Sequence, residues 1–282
     1  MSTSVLFDVA GPRTRTRHRT YTVVTVLALL AVVAFILLRM SSTGQLAYAK
    51  WEPFVTPRYV RALLVDGLLT TLELAFTAIV LAVVFGVVFG IGKLSAHAWV
   101  RRPCWTVVEF FRAVPVLLLM IYIFYAYGIG SYWSVVVALM LYNGSVLAEV
   151  FRAGINAVPK GQGEAAYALG MRKSQVMMSV LMPQGVKIML PAIISQCVVA
   201  LKDTSLGYVI LAPGVTRVGK AIFLEFSNHV QTAIVVAALY IVANLAMTWL
   251  ATWVQRRFVR EKVAVTAPGG AVPGGGEAGQ AG

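Results

Sequence analysis

Six stretches of this sequence are apolar over lengths that suit a helix crossing a lipid bilayer. The hydrocarbon core of a bilayer is about 30 Å thick, and a helix needs about 20 apolar residues to cross it. The stretches cover approximately residues 22–38, 70–91, 107–127, 133–150, 186–211 and 230–253. Because 59% of all residues are apolar and only 12% are charged, lipid is the expected solvent for most of the chain. The sequence therefore predicts an all-α integral membrane protein with about six transmembrane helices.

The first stretch has two interpretations, a cleaved secretory signal peptide or a membrane anchor. Four arginines precede it, as in a signal peptide, but its apolar run is longer than a typical signal core and Arg39 follows directly. The only cleavage-like motif, Ala47-Tyr48-Ala49, lies well beyond the run. We interpret the stretch as an added transmembrane anchor.

The distribution of basic residues predicts the orientation of the chain. If the N-terminus lies inside, the cytoplasmic segments hold 17 of the 24 Lys and Arg residues. Cytoplasmic loops of membrane proteins carry this excess, so the pattern favours both termini inside. The net charge of +13 is then mostly a signal of topology and of contact with anionic lipid, and it requires no nucleic acid partner.

The longest predicted cytoplasmic loop contains a polar segment, GEAAYALGMRKSQVMMSVLMP, at residues 163–183. Residues 164–169 favour helix, with the Glu164 carboxylate in the first turn, and Gly170 is suited to end that helix. Ser174 can cap a second short helix through Met182, and Pro183 marks the junction with the fifth stretch. The pattern indicates a compact helix, corner and helix.

This segment also predicts a surface for contact with another molecule. Ala165 and Ala166 carry little side-chain bulk, which permits close approach by another protein. The alternative is an amphipathic helix that rests on the membrane surface.

The same segment resembles the cytoplasmic loop of the permease subunits of binding-protein-dependent ABC importers. The residues of the resemblance are Glu164-Ala165-Ala166, then Gly170, then Val180-Leu181-Met182-Pro183, where Met182 replaces the usual Leu. Three further phrases, FRAVP, AEVFRAGINAVPKGQGEAA and LKDTSL, resemble the polar amino acid branch of that family, whose substrates include glutamate, glutamine, aspartate, histidine and arginine. The resemblance covers about residues 67–260.

The resemblance implies a type I importer bundle, with a five-helix core behind the added first helix. Together with charge and composition, it divides the chain into a basic cytoplasmic arm (1–21), an additional helix (22–40), an extracytoplasmic loop (41–66), the permease core (67–260, with the coupling loop at about 152–185) and a disordered Gly/Ala/Pro-rich tail (261–282). It also implies that the loop docks as a coupling helix on a cytosolic ATPase through a set of residues. These are Gly163, Glu164, Ala165, Ala166, Gly170 and Pro183.

The partners implied by the resemblance are ABC ATPase subunits, a second permease subunit that is homologous or identical, an extracytoplasmic substrate-binding protein and the amino acid substrate. We expect no cofactor on this chain, and ATP and Mg on the partner ATPase.

A Walker A loop needs G-x-x-x-x-G-K-[ST], and the nearest match fails because Lys93 is followed by Leu94. Gly86 and Gly90, four residues apart in an apolar stretch, instead favour close helix packing. With only two cysteines, the chain offers neither a disulfide framework nor a zinc site.

Ionisable residues inside the spans are costly and should face a partner, an interface or a pathway. Glu109 and Arg112, and likewise Glu149 and Arg152, are three residues apart near the cytoplasmic ends of their helices. Such pairs can bridge along one helix face and anchor the helix end in water. A role in an inner gate is the second interpretation.

Lys202 and Asp203 lie deeper, about 22 Å beyond Lys187 at 1.5 Å per residue. We expect Lys202, Asp203, Thr204 and Ser205, together with Glu149, to line or gate a polar translocation path. An interhelical salt bridge is an equal alternative. A path with both charge signs suits a zwitterionic amino acid.

Three functions fit these observations to different degrees. The best supported is the permease subunit of an ATP-driven importer of a polar amino acid, glutamate being one candidate, in the bacterial cytoplasmic membrane. This subunit would translocate substrate without hydrolysing ATP. The alternatives are a transporter driven by an ion gradient, with Glu73, Glu149 and Asp203 as ion sites, and a structural membrane scaffold.

Overall fold

The computed structural model describes residues 12–258, and all regular structure in that range is helical. The residues 1–11 of the predicted arm and the predicted tail 261–282 lie outside the described residues. Two short helical turns, Tyr48–Trp51 and Glu52–Phe54, follow the first helix. The helices are α1 (Pro12–Ser42), α2 (Pro57–Lys93), α3 (Ala98–Ala113), α4 (Val116–Tyr127), α5 (Ser131–Asn156), α6 (Lys160–Ala168), α7 (Lys173–Ile210), α8 (Val215–Phe226) and α9 (His229–Phe258).

Within the described range, five helices are long and apolar enough to cross a membrane: α1, α2, α5, α7 and α9. A sixth crossing results if α3 and α4 together count as one span. The predicted all-α membrane fold is therefore confirmed, with five to six apolar helices.

The predicted third span, residues 107–127, is wrong as a continuous helix. The chain breaks between α3 and α4, whose axes differ by 101°. Pro115 causes the break, since it has no backbone N–H and its ring disfavours helical geometry in the preceding residue. Val114 accordingly adopts an extended conformation with φ of −83° and ψ of 127°.

Helix α2 is longer than the predicted span at residues 70–91. It begins at Pro57, within the segment predicted as an extracytoplasmic loop, and passes through a π-helical stretch at Ala62–Leu69. Its far end, at Lys93, lies beside the end of α5.

Small residues allow α2 and α5 to form the most extensive helix pair of the structure. A Cβ atom added to Gly86 would lie 2.7 Å from the Leu147 Cβ, and one added to Gly144 would lie 2.8 Å from a Phe85 ring carbon. Real side chains do not approach so closely, so these positions need glycine. Gly86 and Gly90 therefore lie where α2 packs on α5, as their spacing predicts.

The main apolar core lies between α2, α4, α5 and the end of α7. Its fully buried members include Leu74, Met120, Val135 and Leu139. A second cluster around Leu147 packs α5 against the first half of α7, closer to α6. The two clusters hold the membrane helices on either side of α6 in fixed positions.

Helix α1 stands apart from this core. Its side chains from position 17 to position 39 are exposed, as expected for a helix surrounded by lipid. The linker that follows α1 is nevertheless attached to α9. The buried Gln231 donates hydrogen bonds to the backbone and side chain of Gln45, and the Asn228 Nδ2 donates to the Lys50 carbonyl at 2.9 Å.

Candidate functional site

The polar loop contains the predicted short helix α6 and the predicted glycine corner. Gly170 has φ of +78°, a left-handed conformation that only glycine adopts at low cost. The Met171 N–H donates to the Ala166 carbonyl at 3.2 Å, and the Gly170 N–H donates to the Tyr167 carbonyl at 2.9 Å. This pair of bonds is a Schellman motif, which satisfies the last carbonyls of α6 and turns the chain sharply.

The second short helix of the prediction is wrong in its start and in its end. Arg172 precedes the first turn in place of Ser174, and its backbone N–H donates to the Gln175 Oε1 at 2.8 Å. The helix then continues through Pro183 as α7. A π-helical stretch at Val176–Leu181 ends two residues before this proline and widens the turn, which relieves the clash between the proline ring and the preceding carbonyls.

Helix α6 presents one face to solvent and packs the other on the start of α7. Glu164 and Ala165 are exposed, whereas Ala166 is 6% exposed and faces its own chain. Ala165 is therefore accessible to a partner, as the prediction requires, whereas Ala166 is not.

Two apolar side chains of the same segment escaped the sequence analysis. Tyr167 is 51% exposed and Leu169 is 83% exposed, beside the glycine corner. The available signal was the presence of two large apolar residues in a segment that the basic residues assign to the cytoplasm. Together with Glu164, they form an exposed surface, the α6 face, defined here as Glu164, Ala165, Tyr167 and Leu169.

A cluster of five charged side chains joins the ends of α2, α3 and α5. The Lys93 side chain is 3% exposed, and its ammonium contacts Glu109 on α3 at 3.2 Å and Glu149 on α5. Arg112 contacts Glu109 at 3.2 Å, and Arg152 contacts Glu149 at 2.9 Å, so both predicted pairs form. The two pairs are thus joined through a buried cation into one network.

Lys93 is the member of this cluster that sequence reasoning missed. It ends an apolar stretch, as an anchoring lysine does, and only the packing of α2 on α5 brings it between the two carboxylates. Removal of one partner from a buried ion pair typically costs about 3–5 kcal/mol, so the network fixes the relative positions of three helices.

The predicted path residues do not all come together. Lys202 is exposed and Asp203 is half-buried, at the point where α7 tightens into a 3₁₀ stretch, Thr204–Ile210. The Thr204 hydroxyl donates to the Leu201 carbonyl and the Ser205 hydroxyl to the Lys202 carbonyl. Within the described residues, neither Lys202 nor Asp203 forms an ion pair. Glu149 belongs to the Lys93 cluster, apart from these four residues.

An amide pair beside Asp203 adds to the polar groups at this depth. Asn143 on α5 is 1% exposed, and its Oδ1 accepts a hydrogen bond from the Gln196 Nε2. The Asp203 carboxylate interacts with the Asn143 side chain. In the described part of the chain, however, the Asn143 Nδ2 donates no hydrogen bond of normal length and angle. Glu149 follows Asn143 by six residues, or about 9 Å along α5. No periodic signal in the sequence indicates this pair, because Asn143 and Gln196 lie on different helices.

A family model described as the binding-protein-dependent transport system inner membrane component matches residues 61–260. The chain belongs to this family. The match begins after α1 and covers almost all of α2 and every helix after it, including the α6 face and the charged cluster.

Individual proteins support the same assignment. The chain is 42% identical over 226 residues to the glutamate transport system permease protein GluD of Corynebacterium glutamicum, covering 77% of this chain and 83% of that protein. It is 29% identical over 204 residues to the arginine transport system permease protein ArtQ of Bacillus subtilis, covering 69% and 91%. The crystal structure of an amino acid ABC transporter superposes with a TM-score of 0.66 at 29% identity, covering 71% of this chain and 95% of that one.

Family membership decides between the three functions that the sequence left open. The chain is a multi-pass permease component of an ABC importer, and it is not itself an enzyme, because ATP hydrolysis belongs to a separate subunit. The transporter driven by an ion gradient and the structural scaffold receive no support.

Proposed function

We propose that this chain carries a polar amino acid, foremost glutamate, through the cytoplasmic membrane and receives the energy of ATP hydrolysis through the α6 face. The observation that carries the proposal is the short connection of this face to the membrane helices. Helix α6 lies directly between α5 and α7, two membrane helices, and the Gly170 corner holds its end. Because no long linker separates α6 from these helices, a displacement of α6 is transmitted directly to the membrane core.

The chemistry of the α6 face suits a protein partner better than a lipid surface. It combines one carboxylate with two exposed apolar side chains, and its Ala165 allows close approach. A helix that lies on a membrane typically has basic residues on its polar face. The proposed docking set of Gly163, Glu164, Ala165, Ala166, Gly170 and Pro183 is thus extended by Tyr167 and Leu169, while Ala166 supports the helix from beneath.

The variant Glu164→Arg tests the coupling role. We expect it to insert and fold normally, because Glu164 is exposed, but to lose copurification with the ATPase subunits and ATP-dependent uptake of labelled glutamate. The measurements are pull-down of the ATPase from detergent extracts and uptake into proteoliposomes that contain the binding protein.

The matched control is Glu52→Arg, a charge reversal at another exposed carboxylate, which lies at the opposite end of α2 from Lys93. It should leave ATPase copurification unchanged. Normal copurification and uptake in Glu164→Arg would contradict the coupling role.

The substrate proposal rests on the relatives together with the charges of the path. The glutamate permease at 42% identity favours an acidic amino acid, and the arginine permease at 29% identity is more distant. Glutamate carries two carboxylates and one ammonium group. Lys202 and Asp203 offer both charge signs to such a substrate at membrane depth.

We propose that Lys202, Asp203, Thr204 and Ser205 line the path, with Asn143 beside them. Support comes from the exposure of Lys202 and from the absence of an ion pair to either charge within residues 17–255. Charges at this depth that do not pair with each other are available to a substrate.

The variant Asp203→Asn should reduce uptake roughly tenfold or more, as expected when a charged hydrogen-bonding group is lost. Expression and ATPase copurification should remain normal. Asp66→Asn, a change at an exposed carboxylate of α2, is the control and should transport like the wild type. Full uptake by Asp203→Asn would exclude this residue from the path.

The partners follow from the same proposal. Two permease subunits, this chain with a copy or a homologue, would form the path above two ATPase subunits, and an extracytoplasmic binding protein would deliver the substrate. ATP and Mg would be bound by the ATPase subunits, and this chain would bind no cofactor.

A further inference from the structure

A cavity of about 530 Å³ opens beside the Lys93 cluster, and the proposed transport function does not use it. Its walls are formed by α3 and by the ends of α2 and α5. Since α6 follows α5 directly, the cavity lies on the same side of the bundle as the α6 face.

The electrostatic balance of this cavity is positive. Lys93, Arg101, Arg102 and Arg152 line it, against the carboxylates of Glu109 and Glu149. Both carboxylates are already bound by Lys93 and by one arginine each. Two cationic charges, those of Arg101 and Arg102, therefore remain uncompensated at the wall.

Arg101 is held in place by neutral groups. Its Nη1 donates to the Ser95 carbonyl at 3.1 Å and to the Ala96 carbonyl at 3.4 Å, which orients the guanidinium without cancelling its charge. Among the described residues, no carboxylate lies within ion-pair distance of Arg101 or Arg102. Guanidinium groups in this state are suited to bind phosphate oxygens in pairs.

We propose that this cavity binds the phosphate headgroup of an anionic phospholipid from the leaflet on the α6 side. Trp105 lines the same cavity and is 57% exposed, and Trp99, earlier on α3, is 92% exposed. Exposed tryptophans mark the headgroup level of a bilayer. A basic pocket between helices at that level binds anionic lipid headgroups by electrostatic attraction. The bound lipid would clamp α3 to α5 beside the Lys93 network.

Lipid titration of the full-length protein, followed by native mass spectrometry, tests the proposal. The wild type should bind phosphatidylglycerol more tightly than phosphatidylcholine at its first lipid site. The double variant Arg101→Gln/Arg102→Gln should weaken phosphatidylglycerol binding by about tenfold or more, since each basic residue near an anionic lipid contributes about 1 kcal/mol. Arg101→Lys/Arg102→Lys, which retains both charges, should keep most of the preference.

The control Lys160→Gln/Lys173→Gln removes two exposed cations from the same side of the bundle but outside the cavity. It should leave the phosphatidylglycerol preference intact. An equal loss in the control would overturn the proposal in favour of bulk charge, and unchanged binding by Arg101→Gln/Arg102→Gln would overturn it outright. Displacement of the lipid by millimolar inorganic phosphate would assign the cavity to a free phosphate. None of these outcomes depends on transport activity.

Discussion

The Lys93 ammonium group joins α3 and α5 to the end of α2. A lysine this deeply buried is stable only because two carboxylates compensate its charge. Each carboxylate is also paired with one arginine, so neither depends on Lys93 alone for its compensating charge. The consequence at the residue scale is that Lys93 contributes to stability through charge balance more than through packing.

The variant Lys93→Met should lower the free energy of unfolding by about 3 kcal/mol, near the lower end of the range for a broken buried ion pair, because Arg112 and Arg152 continue to serve the two carboxylates. Thermal unfolding in detergent measures the effect. Lys93→Met/Glu149→Gln should recover part of the loss. Lys160→Met, at an exposed lysine, is the control, and a Lys93→Met transition equal to the control would show that the cluster is not stabilising.

Single residues could be predicted from the sequence where the partner is near in the chain. The pairs of Glu109 with Arg112 and of Glu149 with Arg152 follow from a spacing of three on a helix. The position of Lys93 between them depends on how α2 packs on α5, and a spacing rule contains no such information. Asn143 beside Asp203 was missed for the same reason.

At the element scale, the length of each apolar run predicted the helices well, and proline decided where the prediction failed. Pro115 ends a helix because Val114 adopts an extended conformation, whereas Pro183 lies inside α7 because a π-helical stretch precedes it. The sequence interpretation placed Pro115 inside a continuous helix and treated Pro183 as a helix boundary. Whether a proline breaks a helix depends on the hydrogen-bond register of the preceding turn, which side-chain periodicity does not reveal.

The turn at the end of α6 yields a prediction with a built-in control. Gly170 and Gly161 both have open space where the Cβ of a larger residue would lie, but only Gly170 has a positive φ. Gly170→Ala should therefore destabilise the end of α6 by about 1 kcal/mol, and Gly161→Ala should stabilise the helix slightly. Hydrogen exchange of residues 160–171 should rise in the first variant and not in the second. Equal exchange in both would show that the corner does not depend on glycine.

At the scale of the whole molecule, the predicted orientation follows from the basic residues, 17 of 24 of which lie in segments assigned to the cytoplasm. Helix packing alone leaves the direction of the bundle in the membrane undefined, so orientation remains a prediction from charge. It can be tested with cysteines introduced at opposite ends of the bundle.

We expect Glu52→Cys to react with a membrane-impermeant maleimide in intact cells and Gly161→Cys to react only after permeabilisation. Both would be made in a Cys104→Ala/Cys197→Ala background, which removes the two native thiols. Labelling of position 161 from outside would reverse the predicted topology and would place the α6 face away from the ATPase.

The exposed first helix has a consequence for how such a protein could change over time. No described side chain of α1 between positions 17 and 39 is covered by the core, and the family match begins only at residue 61. The attachment of the linker at Gln45 and Lys50 uses mostly backbone carbonyls, which any sequence supplies. The sequence of this helix could thus be exchanged over time without compensating substitutions in the transport core, provided that the linker keeps these carbonyls in place.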